Sequence, residues 1–155
     1  MATFTAIKNR GGSRGALGGV LRYVQQEEKT LWEGQQLVTG WNCTAQSAYA
    51  EMQLTKERYR KTDGRQYYHF VQSFGEQDGL TPQELHAMGL ELAQREFPDF
   101  EVLVATHVDT AHPHNHLVVN SVSFQDGHKL HQSAADLQAH RLANDKICIA
   151  HGLEI

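Results

Sequence analysis

Two apolar segments separated by a short polar turn constrain the fold of this chain more than any other feature. Residues 101–107 (EVLVATH) and 116–124 (HLVVNSVSF) are rich in aliphatic and β-branched side chains, and the segment between them is mostly polar. This pattern predicts two strands joined as an antiparallel hairpin. Because strands and helices alternate before this hairpin, we expect a largely antiparallel sheet in an α+β, two-layer α/β fold.

Periodicity and capping signals predict the other elements. Thr81 provides an N-cap, Pro82 a first helical residue and Glu84 a capping-box partner, and Ser133 with Asp136 forms a second capping box. A glycine-rich stretch, GGSRGALGG, lacks the Lys-Ser/Thr ending of a Walker motif and is interpreted as a flexible connection. The predicted strands cover residues 3–8, 36–39 and 65–73, and the predicted helices cover 16–26, 44–61, 81–97 and 133–152.

The composition fits one globular domain. The chain has 155 residues, with no apolar run of the roughly 18 residues that a membrane span requires and no apolar signal-peptide core. We therefore expect no membrane partner. Its two cysteines, Cys43 and Cys148, are too few for a disulfide framework, which favours reduced, packed thiols in a cytoplasmic protein.

Charge is distributed unevenly along the chain. The net charge is −4, yet residues 1–70 hold ten Lys and Arg against six Asp and Glu, whereas residues 71–155 hold four against twelve. This asymmetry is compatible with a basic face formed mainly by the first half of the chain. An uneven solvated surface without a partner explains the same numbers, so charge alone leaves both interpretations open.

Histidines are concentrated in and beside the predicted hairpin. Four of the ten lie within HVDTAHPHNH, residues 107–116. His114 and His116 are two residues apart, so on a strand both side chains point to one face, and the turn returns the chain beside His107. We therefore expect His107, His114 and His116 to converge on a divalent metal ion, since imidazole is a common neutral ligand. A His-rich polar turn used for caps and solvent contacts is the alternative.

Two polar neighbours fit the same site. Asp109 is suited to orienting a ligand imidazole or to accepting a proton, and an Asx turn explains it equally well. Asn120 is in phase with His114 and His116, which predicts that it faces the same pocket. By itself, Asn120 is an ordinary polar strand residue.

A metal site of this kind needs a group to activate, and the candidate nucleophiles are few. The chain has no GxSxG elbow and no reactive-cysteine motif, which leaves Ser73 and the tyrosines. Tyr23 is the tyrosine that lies between a basic, glycine-rich segment and the charged stretch QQEEKT. A free phenol ionises only near about pH 10, so it attacks phosphate when a metal polarises the phosphate and a base or cation eases its deprotonation. A half-buried packing tyrosine is the alternative interpretation.

Three segments resemble the motifs of a known family. HVDTAHPHNHLVVN is similar to the three-histidine motif of conjugative relaxases, the mobilisation nucleases of the HUH endonuclease superfamily. LRYVQQEEKT resembles the tyrosine-bearing first motif of MobA/VirD-like relaxases of the MOB-P class, with its Lys-Thr pair, and YHFVQSF resembles their middle motif. Asn115 departs from the hydrophobe that the family pattern has between the paired histidines, and we expect its side chain to face away from the metal.

The resemblance implies a fold, a cofactor and residue roles. Relaxases of this class have an antiparallel five-stranded sheet flanked by helices and use Mg²⁺ or Mn²⁺. Residues 1–155 would form one such relaxase domain, which is usually the N-terminal part of a longer protein. Tyr23 would be the nucleophile, and Asp109 would support that tyrosine or the metal. The metal ligands would be His107, His114 and His116, and Ser73 would contact the DNA near the cleaved phosphate. His112 would hydrogen-bond a phosphate of the DNA or assist proton transfer.

The implied function is site- and strand-specific nicking and rejoining of DNA at an origin of transfer in conjugative mobilisation, through a covalent 5′-phosphotyrosine. The substrate would be single-stranded DNA with an adjacent hairpin. Basic residues of the first half would contact its phosphates, namely Lys8, Arg10, Arg14 and Arg22. An accessory relaxosome protein and the conjugation machinery are the expected protein partners.

Two other functions fit parts of the sequence. HPHNHLVV resembles the motif of metal-independent histidine-triad nucleotide hydrolases and transferases, although Pro113 and Asn115 occupy spacers that are apolar in that motif. A non-catalytic DNA-binding or replication-initiation module of the same fold would bind a nick site without cleaving it.

Overall fold

The computed structural model describes residues 2–8 and 14–155, and within that part it contains a five-stranded antiparallel sheet flanked by helices. The sheet strands are β1 (Thr3–Ala6), β4 (Val38–Trp41), β5 (Tyr67–Ser73), β6 (Val102–His107) and β7 (His114–Asn120), and β2 (Leu31–Trp32) pairs with β3 (Gln35–Gln36) in a small ribbon. The helices are α1 (Arg14–Val24), α2 (Glu27–Thr30), α3 (Ala48–Arg58), α4 (Pro82–Glu96) and α5 (Ala134–Ala150). The predicted α+β class is confirmed.

Strand β7 lies at the centre of the sheet, in the order β1–β5–β7–β6–β4. It forms the predicted hairpin with β6, in which His107 is directly opposite His114. On its other side β7 pairs with β5, which places Ser73 opposite His114 and Val71 opposite His116. Directly opposed residues of antiparallel strands point to the same face. The register therefore brings His107, His114 and Ser73 side by side.

Helices α4 and α5 cover one face of the sheet. Both begin at the predicted capping boxes, where Thr81 Oγ1 accepts a hydrogen bond from the Glu84 amide and Ser133 Oγ accepts one from the Asp136 amide. Large apolar side chains fill the layer beneath them, and burying each one contributes about 1.5–3 kcal/mol. This core includes Phe4, Phe70, Leu92, Phe97, Val104, Leu117 and Ile147.

Helices α1 and α3 cover the opposite face. Leu17, Leu21 and Val24 form an apolar stripe along α1, spaced four and three residues apart, and they are buried against the sheet with Leu103 and Val118. Helix α1 ends at Val24, directly above the end of β6 that carries His107. The end of α1 therefore lies beside His107.

Two element boundaries differ from the prediction for local reasons. Strand β7 starts at His114 and ends at Asn120 instead of covering 116–124, because the chain turns after it and the Ser123 amide bonds the His128 carbonyl. The predicted helix 44–61 is a short 3-10 turn followed by α3. Helix α3 ends where Arg60 adopts a left-handed conformation, with φ of 55°.

Other differences involve short elements. The predicted strand 36–39 is divided between β3 and β4, and the predicted helix 16–26 lies at 14–24. Helix α2 and strand β2 were not predicted, because segments of four and two residues carry too little periodicity. No helix in the described ranges 2–8 and 14–155 is both long and apolar enough to cross a bilayer.

Candidate active site

Three imidazoles converge at the turn end of the β6–β7 hairpin. One ring nitrogen from each of His107, His114 and His116 lies within 4.8 Å of the other two. Nε2 of His114 is 3.0 Å from Nε2 of His116, and the rings of His107 and His116 are 4.1 Å apart between centroids. His107 and His116 are buried, and His114 is partly buried. The structure thus brings together the three histidines that the sequence singled out.

Backbone carbonyls determine the tautomer of two of these rings. His107 Nε2 lies 3.0 Å from the Val24 carbonyl, and His114 Nδ1 lies 3.0 Å from the His112 carbonyl. A carbonyl only accepts hydrogen bonds, so each of these nitrogens carries the ring proton. The other nitrogen of each neutral ring, Nδ1 of His107 and Nε2 of His114, then carries a lone pair.

A fourth histidine, His69, contacts the third ring. Its Nε2 lies 2.7 Å from His116 Nδ1, and both side chains are buried. When His116 Nδ1 donates to His69, the Nε2 of His116 presents a lone pair to the cluster. Sequence reasoning missed His69, because it lies on β5, 47 residues away from His116, and only the β5–β7 register reveals the contact.

Burial keeps the rings of His69, His107 and His116 neutral. Burial, with the neighbouring histidines, lowers the pKa of His116 to about 2. Burial and the charge of His107 lower the pKa of His69 to about 4, and burial also lowers the pKa of His107. At neutral pH these three rings are therefore uncharged, the form in which imidazole binds a metal.

The donor set fits a divalent cation. Two nitrogen lone pairs at the 3.0 Å separation of His114 and His116 repel each other unless a proton or a cation lies between them. A separation of about 3.0 Å is also what adjacent ligands adopt on an ion with bonds of about 2.1 Å. Hydrogen bonds that hold the outer nitrogens, as those of His107, His114 and His116 are held here, are typical of metal-binding histidines.

Tyr23 lies next to this cluster. It immediately precedes Val24 on α1, so it sits at the border of the buried stripe, and its side chain is 48% exposed. Its ring centroid is 5.9 Å from that of His107 and 6.2 Å from that of His116, edge-on in both cases. Tyr23 thus packs against two of the three imidazoles and remains accessible to solvent.

Asp109 and His112 reach the site less directly. Asp109 Oδ2 is 3.6 Å from Lys29 Nζ, and that ammonium lies 5.7 Å from the centre of the Tyr23 ring. His112 has an exposed side chain, and its carbonyl accepts hydrogen bonds from His114 and from Thr110 Oγ1. Sequence reasoning did not identify Lys29 as a functional side chain.

The prediction that Asn120 shares the pocket is wrong. Its side chain accepts a hydrogen bond from Lys56 Nζ and donates to the Met52 carbonyl and to Glu101 Oε1, 3.1 and 2.9 Å away. Alternation along a strand determines which face of the sheet a side chain points to. It does not determine how far along the strand that side chain lies from the histidine cluster. Asn120 lies four residues beyond His116, about 13 Å at the rise of a strand.

Asn115 faces away from the metal ligands, as predicted. It is fully buried on the α4 side, where its Nδ2 donates to Gln72 Oε1 and to the Leu85 carbonyl. Its Oδ1 accepts a hydrogen bond from Thr106 Oγ1 at 2.5 Å. This bonding explains how a polar residue is accommodated between two histidines of a buried strand.

The predicted DNA-contacting residues are dispersed around the site. Ser73 ends β5 opposite His114, and Arg22 is exposed in the last turn of α1, next to Tyr23. Lys8 is exposed beyond the C-terminal end of β1, whereas the N-terminal end of that strand pairs with Ser73. Arg10 lies outside the described residues, and for Arg14 only the backbone, at the start of α1, is described.

The two cysteines offer no competing nucleophile. Both are unpaired, and Cys148 is buried whereas Cys43 is half-buried. Burial raises the pKa of the Cys43 thiol to about 12 and that of Cys148 to about 11. Both thiols are therefore protonated at neutral pH, as expected for packed, reduced cysteines.

Comparison with known proteins identifies similar sequences. The family described as MobA/VirD2-like relaxase, nuclease domain, matches residues 23–153. A rlx protein of Staphylococcus aureus is 40% identical over 114 residues, 74% of this chain and 34% of that protein, and a second is 37% identical over 117 residues, 76% and 37%. The group II intron-interrupted relaxase LtrB of Lactococcus lactis subsp. cremoris (strain MG1363) is 32% identical over 78 residues, 50% of this chain and 14% of that protein. The chain spans about a third of the length of the Staphylococcus proteins.

Proposed function

The chain belongs to the MobA/VirD2-like family of relaxase nuclease domains, and we propose that it nicks one strand of DNA at an origin of transfer and later rejoins it. One observation carries the proposal. An exposed phenol, Tyr23, lies about 6 Å between ring centres from two of three imidazoles whose lone pairs converge. A nucleophile and a cation site that face one phosphate position are the requirements of metal-assisted phosphoryl transfer.

His107, His114 and His116 would hold the cofactor, a divalent cation. Of the two ions expected from the resemblance, Mn²⁺ is favoured over Mg²⁺, because Mg²⁺ is a harder ion that prefers oxygen ligands whereas these donors are nitrogens. When bound, the ion supplies positive charge that polarises the scissile phosphate.

Tyr23 is proposed to attack phosphorus and form a phosphotyrosine. The new bond joins Tyr23 Oη to phosphorus and the bond from phosphorus to the 3′-oxygen breaks, which leaves a 5′-phosphotyrosine and a 3′-hydroxyl. The phenolic proton passes to Asp109 or to water at the exposed side of the ring, and the departing 3′-oxygen takes a proton from water. One phosphodiester replaces another, so the free 3′-hydroxyl can reverse the step and reseal the strand.

Single-stranded DNA is proposed to cross the face of β5 and β1 that carries the histidines. Ser73 lies opposite His114, and Thr3 and Thr5, opposite Ser73 and Val71, are exposed on the same face. Phosphate contacts would come from Lys8, Arg10, Arg14 and Arg22, together with Ser73 and His112. A hairpin beside the nick, an accessory relaxosome protein and the conjugation machinery complete the proposed set of partners.

The test is covalent capture of DNA. Labelled single-stranded oligonucleotides that tile the DNA around the gene are incubated with the protein and Mn²⁺, and protein–DNA adducts are resolved on denaturing gels. The wild type is expected to form an adduct with one oligonucleotide, and Tyr23→Phe to form none. Tyr49→Phe is the matched control, because Tyr49 is similarly exposed, at 44%, and lies on α3. An undiminished adduct with Tyr23→Phe would show that the nucleophile is another residue.

The same assay separates the alternative functions. A histidine-triad enzyme would hydrolyse nucleoside phosphoramidates in EDTA, and a binding module would retain the oligonucleotide without cutting it at any metal concentration. The structure groups His107 with His114 and His116, with the side chain of His112 exposed, which is not the grouping that a His-x-His-x-His motif requires.

A further inference from the structure

Lys29 is held at the site by its backbone. It lies in the short helix α2, and its carbonyl accepts a 2.7 Å hydrogen bond from the amide of Val108, the residue that follows His107. The chain segment that contains Tyr23 is thus tied to the strand that carries a proposed metal ligand. The backbone of Lys29 is therefore fixed at the site, and its flexible side chain can reach only a small region around that position.

The ammonium of Lys29 lies among the functional groups. Its Nζ is 5.7 Å from the centre of the Tyr23 ring and 3.6 Å from Asp109 Oδ2. One ammonium therefore lies beside both the phenol and a carboxylate of the site.

The ion pair with Asp109 leaves this ammonium available. A tight ammonium–carboxylate hydrogen bond has a length of about 2.7–2.9 Å, so the 3.6 Å separation is a loose contact. The side chain of Lys29 is 25% exposed, and an ammonium has three donors. A second anion can therefore bind Lys29 without first displacing Asp109.

We propose that Lys29 is a further catalytic residue, whose Nζ donates a hydrogen bond to a non-bridging oxygen of the scissile phosphate. The inference rests on the proposed function, since that phosphate must contact both the Tyr23 hydroxyl and a cation held by the three histidines. As Tyr23 Oη bonds to phosphorus and the 3′-oxygen departs, negative charge builds up on the non-bridging oxygens, and Lys29 offsets it. Lys29 gives up no proton in the step, so the balance of atoms in the transfer is unchanged.

The test compares Lys29→Met with the wild type on two substrates. Single-turnover adduct formation is measured with Mn²⁺ on the reactive oligonucleotide, and on the same oligonucleotide with a methylphosphonate at the scissile position, which lacks the negative charge. Loss of one such charge-stabilising donor is expected to slow the phosphodiester reaction about 10²- to 10³-fold. On the neutral methylphosphonate, the difference between wild type and variant is expected to shrink to within about tenfold, because less charge has to be offset.

Three further measurements distinguish catalysis from a structural role. Lys29→Arg is expected to recover part of the rate, and Lys146→Met, on exposed α5 surface, to match the wild type. Calorimetric Mn²⁺ affinity of Lys29→Met is expected to equal or exceed that of the wild type, because a positive charge near the cation site is removed.

If Lys29→Met lowers the rate of adduct formation by the same factor on both substrates, the proposed role of Lys29 is overturned. It is also overturned if Lys29→Met binds Mn²⁺ so weakly that the loss of metal accounts for the slower rate. A wild type that forms no adduct with any oligonucleotide would overturn the proposed function itself, and the role of Lys29 with it.

Discussion

At the scale of single residues, the site depends on which nitrogen of each ring carries the proton. Carbonyls of Val24 and His112 orient two rings, and His69 orients the third. The convergence of His107, His114 and His116 was predictable, because strand alternation and one short turn are local features. The contact of His69 with His116 was not, because it depends on pairing between distant strands.

Replacing His69 by Leu is expected to weaken Mn²⁺ binding about 10- to 100-fold, because His116 loses the partner that orients its ring. His69→Gln retains an acceptor and is expected to lie between Leu and the wild type. Isothermal titration calorimetry with Mn²⁺ measures both variants. His128→Leu is the control, since the His128 side chain is exposed and bonds Asp126. An unchanged affinity in His69→Leu would mean that His69 has no part in positioning the ligand.

At the scale of elements, a series of hydrogen-bonded polar side chains, partly or fully buried, runs behind the histidine cluster on the α4 side. Thr39 Oγ1 lies 2.7 Å from His86 Nε2, and His86 Nδ1 lies 2.8 Å from Thr106 Oγ1. Thr106 donates to Asn115, which bonds Gln72, so β4, β6, β7 and β5 are all linked. Because Thr106 and Asn115 alternate with His107, His114 and His116 along the strands, this chain fixes the strands that carry the cluster.

The stability of this polar chain is expected to depend on pH through His86. Burial lowers the pKa of His86 below its ordinary value of 6.5. Below about pH 6.5, His86 binds a proton more readily in the unfolded chain than in the folded protein. The contribution of His86 to stability is therefore present above about pH 6.5 and is lost as the pH falls below it. Urea unfolding at about pH 7 and about pH 5 tests this, with His86→Gln as reference.

Between about pH 7 and about pH 5, the free energy of unfolding is expected to fall more for the wild type than for His86→Gln. The two proteins differ only at residue 86, so the contributions of all other histidines cancel in the comparison. A difference between the two proteins that does not change with pH would contradict the account of His86.

Element prediction succeeded where the signals were local. The capping boxes at Thr81 and Ser133 marked the starts of α4 and α5, and the apolar runs marked β6 and β7. The strand order was not predictable, because β5 lies between β1 and β7, and both of these partners are far away in sequence. Asn120 was misplaced for a related reason, since periodicity carries no information about distance from the cluster.

At the scale of the whole molecule, the sheet divides the protein into two sides. Helices α4 and α5 bury one face, while the other carries α1, α3, the histidine cluster and the exposed Tyr23. The charge asymmetry of the sequence is consistent with this division, because α1 and α3 belong to the more basic first half. We therefore propose that DNA binds on the α1 side.

Arg22 is expected to contribute one phosphate contact on that side. For single-stranded DNA, the slope of log K against log salt changes by about 0.7 for each contact that is lost. Fluorescence anisotropy in the non-cleaving Tyr23→Phe background is expected to show this change for Arg22→Gln. Arg95→Gln, exposed in the last turn of α4 on the opposite side, is expected to leave the slope unchanged. Equal salt slopes for Tyr23→Phe alone and for its combinations with Arg22→Gln and Arg95→Gln would mean that the DNA binds elsewhere.

Peptide mapping of the DNA adduct identifies the residue that attacks phosphorus. After reaction with Mn²⁺, the adduct is digested with nuclease and trypsin, and the modified peptide is sequenced by mass spectrometry. We expect one nucleotide-bearing peptide, which ends at Lys29 and contains Tyr23 as its tyrosine. A nucleotide on any other residue, or cleaved DNA with no covalent adduct, would contradict it.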